Sequence, residues 1–153
     1  MKFQSRASER QLEARLKLVE LFNDSPLPVE QLLVNLHLYM RSSVIAKVLY
    51  IDELYQEIID IPGVIMEFGT WWGANIALFE SLRAVYEPYN YTRKVIGFDT
   101  FTGYPQVDPE DGMSDIAEVG GYSVGEDYEK HLTDLLDYHE LENNLPHLSL
   151  IHI

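Results

Sequence analysis

The sequence has no cysteine among its 153 residues. Disulfide scaffolds, thiolate zinc sites and cysteine nucleophiles are therefore excluded. Basic residues are scarce: 11 Lys and Arg stand against 25 Asp and Glu, a formal net charge of −14. Such a chain repels a phosphate backbone and an anionic lipid surface, so neither nucleic acid nor membrane is expected as a partner. No apolar stretch approaches the roughly 20 residues of a membrane span. The segment from Met1 to Arg15 is polar and charged and lacks the apolar core of a signal peptide. A cytoplasmic location is the expectation that fits. There is no G-x-x-x-x-G-K-[ST] loop and no G-x-G-x-x-G turn, which argues against a nucleotide triphosphatase and against a dinucleotide enzyme. Internal repeats and low-complexity tracts are missing too.

What is present is an ordinary globular balance, 46% hydrophobic and 24% charged, in a length that suits one compact domain. Leu12, Leu16, Val19 and Phe22 recur at helical spacing and predict an amphipathic helix over 9–22. Asn23 to Pro28 breaks it. A second helix is predicted from Pro28, with Leu32, Leu33, Leu36 and Met40 as its stripe. A third is capped by Ser42 or Ser43, turns Ile45, Val48, Leu49, Leu54, Tyr55, Ile58 and Ile59 inward, and stops at Pro62-Gly63. The pattern then changes. Val64 to Phe68 is a short, mostly apolar run of the kind a buried parallel strand requires. Gly69 to Gly73 make a turn, 75–86 a helix, and Lys94 to Phe98 a second strand that stops at Asp99. A long loop fills 101–122, a length that in compact domains often marks function. Ser123 and Glu126 have capping-box spacing ahead of a helix over 126–139, and Leu148 to Ile153 alternates toward a third strand. The order β-α-β-loop-α-β after a helical stretch predicts an α/β domain with a parallel sheet.

Two strand ends carry the chemistry. Glu67-Phe68-Gly69-Thr70-Trp71-Trp72-Gly73-Ala74-Asn75 lies between a strand and a helix, where ligands bind in open α/β sheets, and glycines there let backbone approach a ligand. Glu67 suits a cationic amino group or the ordering of the loop's amides. Asp99, at the next strand end, is placed to accept from ribose hydroxyls. Together they predict a site for an adenosine-containing ligand. Other readings stay open. Trp71 and Trp72 either line the pocket or pack helix on sheet, and Asn75 is either a ligand contact or a helix cap.

The run Pro62-Gly63-Val64-Ile65-Met66-Glu67-Phe68-Gly69, then Glu87-Pro88-Tyr89-Asn90, then Arg93-Lys94-Val95-Ile96-Gly97-Phe98-Asp99-Thr100-Phe101-Thr102-Gly103-Tyr104-Pro105, resembles the macrocin O-methyltransferase family. The resemblance covers roughly 41–153. It implies a Rossmann-like class I methyltransferase sheet behind an N-terminal helical extension, with the C-terminal half missing. On this reading 1–41 is the extension and 42–153 the N-terminal part of the S-adenosylmethionine-binding domain, cut after its third strand. By the resemblance, Glu67, Gly69, Thr70, Trp71, Gly73 and Asn75 hold the methionine part of the cofactor. Asp99 holds the ribose, with Thr100 and Phe101 near the adenosine. It also implies magnesium, held by aspartates on later strands of a full-length form beside the catalytic group, so the catalytic residues are expected beyond Ile153 and no metal ligand within the chain.

The expected activity is methyl transfer to a hydroxyl of a small-molecule acceptor, such as a sugar of a natural product, by an enzyme that forms a homodimer. A non-catalytic binding module and an oxygenase-like relative are the alternatives, because fold does not fix chemistry. The chain alone is expected to be inactive, marginally stable and prone to self-associate through its exposed sheet edge. The five histidines, His37, His131, His139, His147 and His152, lack the partners of a metal site. Asp108, Glu110, Asp111 and Asp115 are read as solvating the long loop, and Tyr104 and Tyr122 either shape a lid over substrate or pack within the loop.

Overall fold

A computed structural model describes residues 7–106, 119–143 and, for the backbone alone, 150–152. Asp108, Glu110, Asp111, Asp115 and His147 lie outside the described residues. The chain divides into two compact units, 3–47 and, from Val48 onward, 48–153. The boundary expected from sequence, 41/42, falls where the helix Ser42–Gln56 starts, six residues ahead of the division.

In the first unit, α1 runs Glu9–Asn23 and α2 Val29–Leu32, followed by a 3-10 turn at Leu36–Tyr39. Ser8 caps α1 in a capping box: its Oγ accepts from the Gln11 amide, and the Gln11 side chain accepts from the Ser8 amide. The second predicted helix is thus two short pieces. The predicted apolar stripe of α1 is not buried either, Leu16 being 67% exposed, because so small a unit has too little surface to cover it. What anchors the unit is Phe22 against Tyr39, edge to face at 5.2 Å, with the Tyr39 hydroxyl donating to Ser25 Oγ at 2.9 Å.

The second unit is the α/β part. The helix α3 (Ser42–Gln56) ends earlier than the Pro62-Gly63 stop implied, and only Ile51 and Tyr55 of its face are buried. Ile45, Leu49 and Leu54 stay exposed, contrary to the inward face read from spacing. Then come β1 (Ile65–Phe68), α4 (Ala74–Tyr86), β2 (Val95–Phe98), α5 (Tyr128–Glu142) and β3 (Leu150–His152). The three strands form one parallel sheet in the order β1-β2-β3, with Ile65 beside Val95, Phe68 beside Phe98, and Phe98 beside His152. The predicted α/β class and the pairing of the first two strands hold. The core gathers Tyr55, Ile65, Ile76, Val95, Phe101, Leu132 and Leu136. The capping box read at Ser123 does not form: α5 starts at Tyr128 after Asp127, and the Ser123 hydroxyl reaches back to the Phe101 carbonyl.

The amino ends of the strands are closed by buried charge that the sequence reading missed. Arg93, 3% exposed, donates to both Glu87 oxygens at 2.8 and 3.2 Å, to the carbonyl of Gly63 at 3.2 Å and to that of Ile58 at 2.7 Å. Tyr55 donates to Glu87 Oε2 at 2.7 Å and Asn90 to Oε1 at 2.7 Å. Arg83, fully buried, pairs with Glu140 and donates to the Arg93 carbonyl at 3.2 Å. Burial alone would raise the Glu87 carboxyl, yet the hydrogen bonds from Arg93, Tyr55 and Asn90 hold it below its ordinary value. Burial, then the Glu87 hydrogen bond, pushes the Tyr55 hydroxyl up, which keeps it a donor. A readable signal existed: Ile76, Glu80 and Arg83 share one face of α4 and Glu87 follows at the same spacing just past its end, so charges interrupt an apolar stripe.

Candidate cofactor site

The carboxyl ends of β1 and β2 open into a cavity of about 620 Å³, within the range of small-molecule sites. Its floor is the stacked pair Phe68 and Phe98, 4.8 Å apart and nearly parallel at 9°. The two rings are cross-strand neighbours in the parallel register, so they leave the sheet on the same side. Phe68 is 75% exposed, whereas Ile65 at the other end of its strand is buried.

Asp99 organises the rim. One carboxylate oxygen accepts the Trp71 amide at 2.8 Å and the other the Phe101 amide at 2.7 Å. Both amides belong to residues in the left-handed region, Trp71 at φ 50° and Phe101 at φ 58°. For bulky residues that conformation costs on the order of 1–2 kcal/mol each, and charge-assisted hydrogen bonds offset it. One side chain therefore ties the β1 turn to the β2 loop. Tyr122, at φ 66°, shares this conformation and meets Trp71 edge to face at 5.4 Å. Tyr104 packs on Tyr122 at 5.6 Å. Around Gly103 the loop closes on itself: Tyr104 N donates to the Gly121 carbonyl at 3.0 Å and Gly120 N to the Tyr104 carbonyl at 2.9 Å. A Cβ on Gly103 would collide with the Gly121 carbonyl oxygen.

The structure gives the predicted residues different places. Gly69, Trp71, Asp99 and Thr100 line the cavity. Glu67 and Asn75 form a partly buried pair beneath the turn, Asn75 Nδ2 donating to Glu67 Oε1 at 2.5 Å. Asn75 is therefore not the cap of α4; Gly73 occupies that position with φ +69°. Gly73 is buried and has a packing reason, since a Cβ there would meet Leu132 Cδ1 at 2.5 Å. Thr70 is buried against β2, where the missing Cβ of Gly97 makes room for its methyl group. Phe101 belongs to the core and supplies its backbone amide to the rim. Trp72 meets Tyr128 edge to face at 4.7 Å, and the Tyr128 hydroxyl donates to the Trp72 carbonyl at 2.9 Å, so this tryptophan packs α5 on the turn. Sequence reasoning missed Phe68, Phe98 and the Gly120-Gly121 clasp.

Thr70 Oγ1 and Asn75 Oδ1 are buried without a hydrogen-bond partner among the described residues. No group of three or more His, Cys, Asp and Glu residues suited to a metal ion occurs among the described residues. No described helix is long and apolar enough to cross a membrane.

No protein-family model matches the chain, and no curated relative does. Solved structures do. The chain is similar to the crystal structure of CalS11, a calicheamicin methyltransferase, at 37% identity and a TM-score of 0.90 over 99% of its length. A second match is the apo structure of CalS11, described as a TDP-rhamnose 3'-O-methyltransferase of calicheamicin biosynthesis, at 35% identity and a TM-score of 0.78 over 96% of the chain. The chain spans 62% and 56% of those two structures. The likeness supports a methyltransferase family without singling out the macrocin O-methyltransferases, and the α/β fold is that of a methyltransferase.

Proposed function

We propose that the chain is the cofactor-binding part of an S-adenosylmethionine-dependent O-methyltransferase acting on a sugar hydroxyl, with a nucleotide-linked sugar, as for CalS11, as acceptor. The observation that carries this reading is the cavity at the carboxyl ends of two adjacent parallel strands, each end holding an acid. The residues fit the cofactor. Phe68 and Phe98 offer an aromatic surface for adenine. Each Asp99 oxygen uses one lone pair on an amide and keeps another for a ribose hydroxyl. Glu67 and the buried Asn75 Oδ1 suit the ammonium of the methionine part. When bound, the cofactor supplies a methyl group made electrophilic by its positively charged sulfur.

The work of this chain is to hold and orient. Asp99 fixes the two loops before binding, so that little ordering remains at the moment of transfer. Deprotonation of the acceptor hydroxyl, magnesium and dimer formation belong to the full-length form in this proposal.

The test is calorimetry with S-adenosylhomocysteine on the full-length protein and on Asp99→Ala and Asp99→Asn. Both variants should bind at least about tenfold more weakly, since hydrogen bonds to a charged group contribute about 1.5–3 kcal/mol. Wild-type affinity in both folded variants would remove Asp99 from the site.

A further inference from the structure

Three aromatic side chains form a right-angled wall on the cofactor cavity. Trp71 and Tyr122 meet at 83° with their rings 5.4 Å apart, and Tyr122 and Tyr104 meet at 81° and 5.6 Å. All three line the cavity. Rings set at right angles make corners, and a small group in such a corner lies against two aromatic surfaces at once. Backbone contacts hold these corners in place. The Trp71 amide is fixed on Asp99 at 2.8 Å, and Tyr104 N donates to the carbonyl of Gly121, the neighbour of Tyr122, at 3.0 Å. Among the described residues no Lys or Arg lines the cavity, and the charged side chain that does is Asp99.

Aromatic faces carry negative potential and attract a cation within about 6 Å of the ring centre, and cages of such rings hold quaternary ammonium ligands. A sulfonium is a cation of the same kind. It is covered by alkyl groups and has no proton to donate, so a hydrogen-bond acceptor gains little from it. We propose that the corner of Trp71, Tyr122 and Tyr104 is a sulfonium subsite, which recognises the positive charge on the sulfur of S-adenosylmethionine. The inference rests on the cofactor reading above and adds to it the group that reads this charge. Connectivity supports the placement. The sulfur is bonded to the ribose on one side and to the methionine chain on the other, so it lies between Asp99 and the turn at 69–73. Trp71 belongs to that turn while its amide touches Asp99. The demethylated product carries the same base, ribose and amino acid on a neutral sulfur. The floor of Phe68 and Phe98 meets a group common to both molecules, and the corner meets the group that differs.

The experiment is calorimetry on the full-length protein with S-adenosylmethionine and S-adenosylhomocysteine as separate probes, read as the ratio of the two affinities. Tyr122→Leu should lower the preference for the charged ligand by about five- to thirtyfold. Tyr104→Leu, whose ring is 47% exposed, should lower it by about two- to fivefold, and it keeps the test open should Tyr122→Leu fail to fold. Tyr122→Phe and Tyr104→Phe keep the ring and should keep the ratio. Phe68→Ala should weaken both ligands alike. An unchanged ratio in folded leucine variants overturns the proposal, because the rings then act as apolar wall alone. So do phenylalanine variants that behave like the leucine ones, which would assign the effect to the hydroxyls, and so does a ratio that falls as far in Phe68→Ala. A wild-type protein that binds neither ligand would instead strike the cofactor reading, so the two failures are distinguishable.

Discussion

The two ends of the parallel sheet are built on opposite principles. At the amino ends, buried charged groups pair with one another: Arg93 and Glu87 are 3% and 7% exposed and bridge the turn before β1 to the end of α4. At the carboxyl ends, aromatic rings stand exposed, Trp71, Phe101 and Tyr122 adopt left-handed backbone, and the Asp99 carboxylate holds the loops in place. The first arrangement stabilises the fold and the second spends stability on a prepared surface. The separation follows from the parallel sheet, which points every strand's carboxyl end the same way and leaves the other end free for structural use.

The sharpest way to break the comparison is Arg93→Ala. It leaves the Glu87 carboxylate and the carbonyls of Gly63 and Ile58 without their buried donor, and removing one partner of such a pair costs about 3–5 kcal/mol. Denaturant unfolding should show this loss, while S-adenosylhomocysteine affinity of the folded fraction stays within about twofold. A large affinity change would mean that the two ends are not independent.

Gly73→Ala comes next and probes where the ends meet the helices. The added Cβ lies 2.5 Å from Leu132, itself 1% exposed, at a φ of +69°. Left-handed strain and overpacking together should cost about 2–4 kcal/mol, read as a lower melting temperature. A melting temperature equal to the wild type's would show that Leu132 yields freely.

The pH dependence sharpens the amino-end half. The Glu87 carboxyl is held below its ordinary value of about 4.5. A depressed acid contributes stability that is fully present above the unfolded value and is lost as pH falls through the folded one. The stability gap between wild type and Glu87→Gln should therefore be flat from pH 7 to about 5 and shrink below about 4. A gap that widens on acidification would reverse the assignment.

The same contrast explains what the sequence could show. The strands were legible because buried parallel strands are runs such as Val95-Ile96-Gly97-Phe98, and the site because an acid stands near the end of one run, at Glu67, and directly after the other, at Asp99. The ion network was not, because Arg83 and Glu140 are 57 positions apart and no local period records a partner that distant. Arg93 and Glu87 were visible only as residues in a motif, without their burial. The division of labour among Gly73, Thr70 and Phe101, all read as ligand contacts, depended on which atoms α5 and β2 bring against the turn. Exposure of α1 and α3 was misjudged because periodicity identifies an apolar face but not what covers it.

The smallest expected effect on stability comes from the carboxyl end, at Phe68. It is 75% exposed, and its ring stacks on Phe98 at 4.8 Å. Phe68→Ala removes little buried surface, so the cost should be that of an exposed aromatic pair, under about 1 kcal/mol. If the pair is the adenine surface, the same change removes a base-stacking face, a contact that contributes about 1–3 kcal/mol. S-adenosylhomocysteine should then bind roughly five- to a hundredfold more weakly, and Phe68→Leu, which keeps apolar bulk without the ring, should fall in between. Calorimetry beside thermal unfolding separates the two quantities. A variant that loses stability but not affinity would place Phe68 in the fold rather than the site, and would move the adenine surface toward Trp71 and Tyr122.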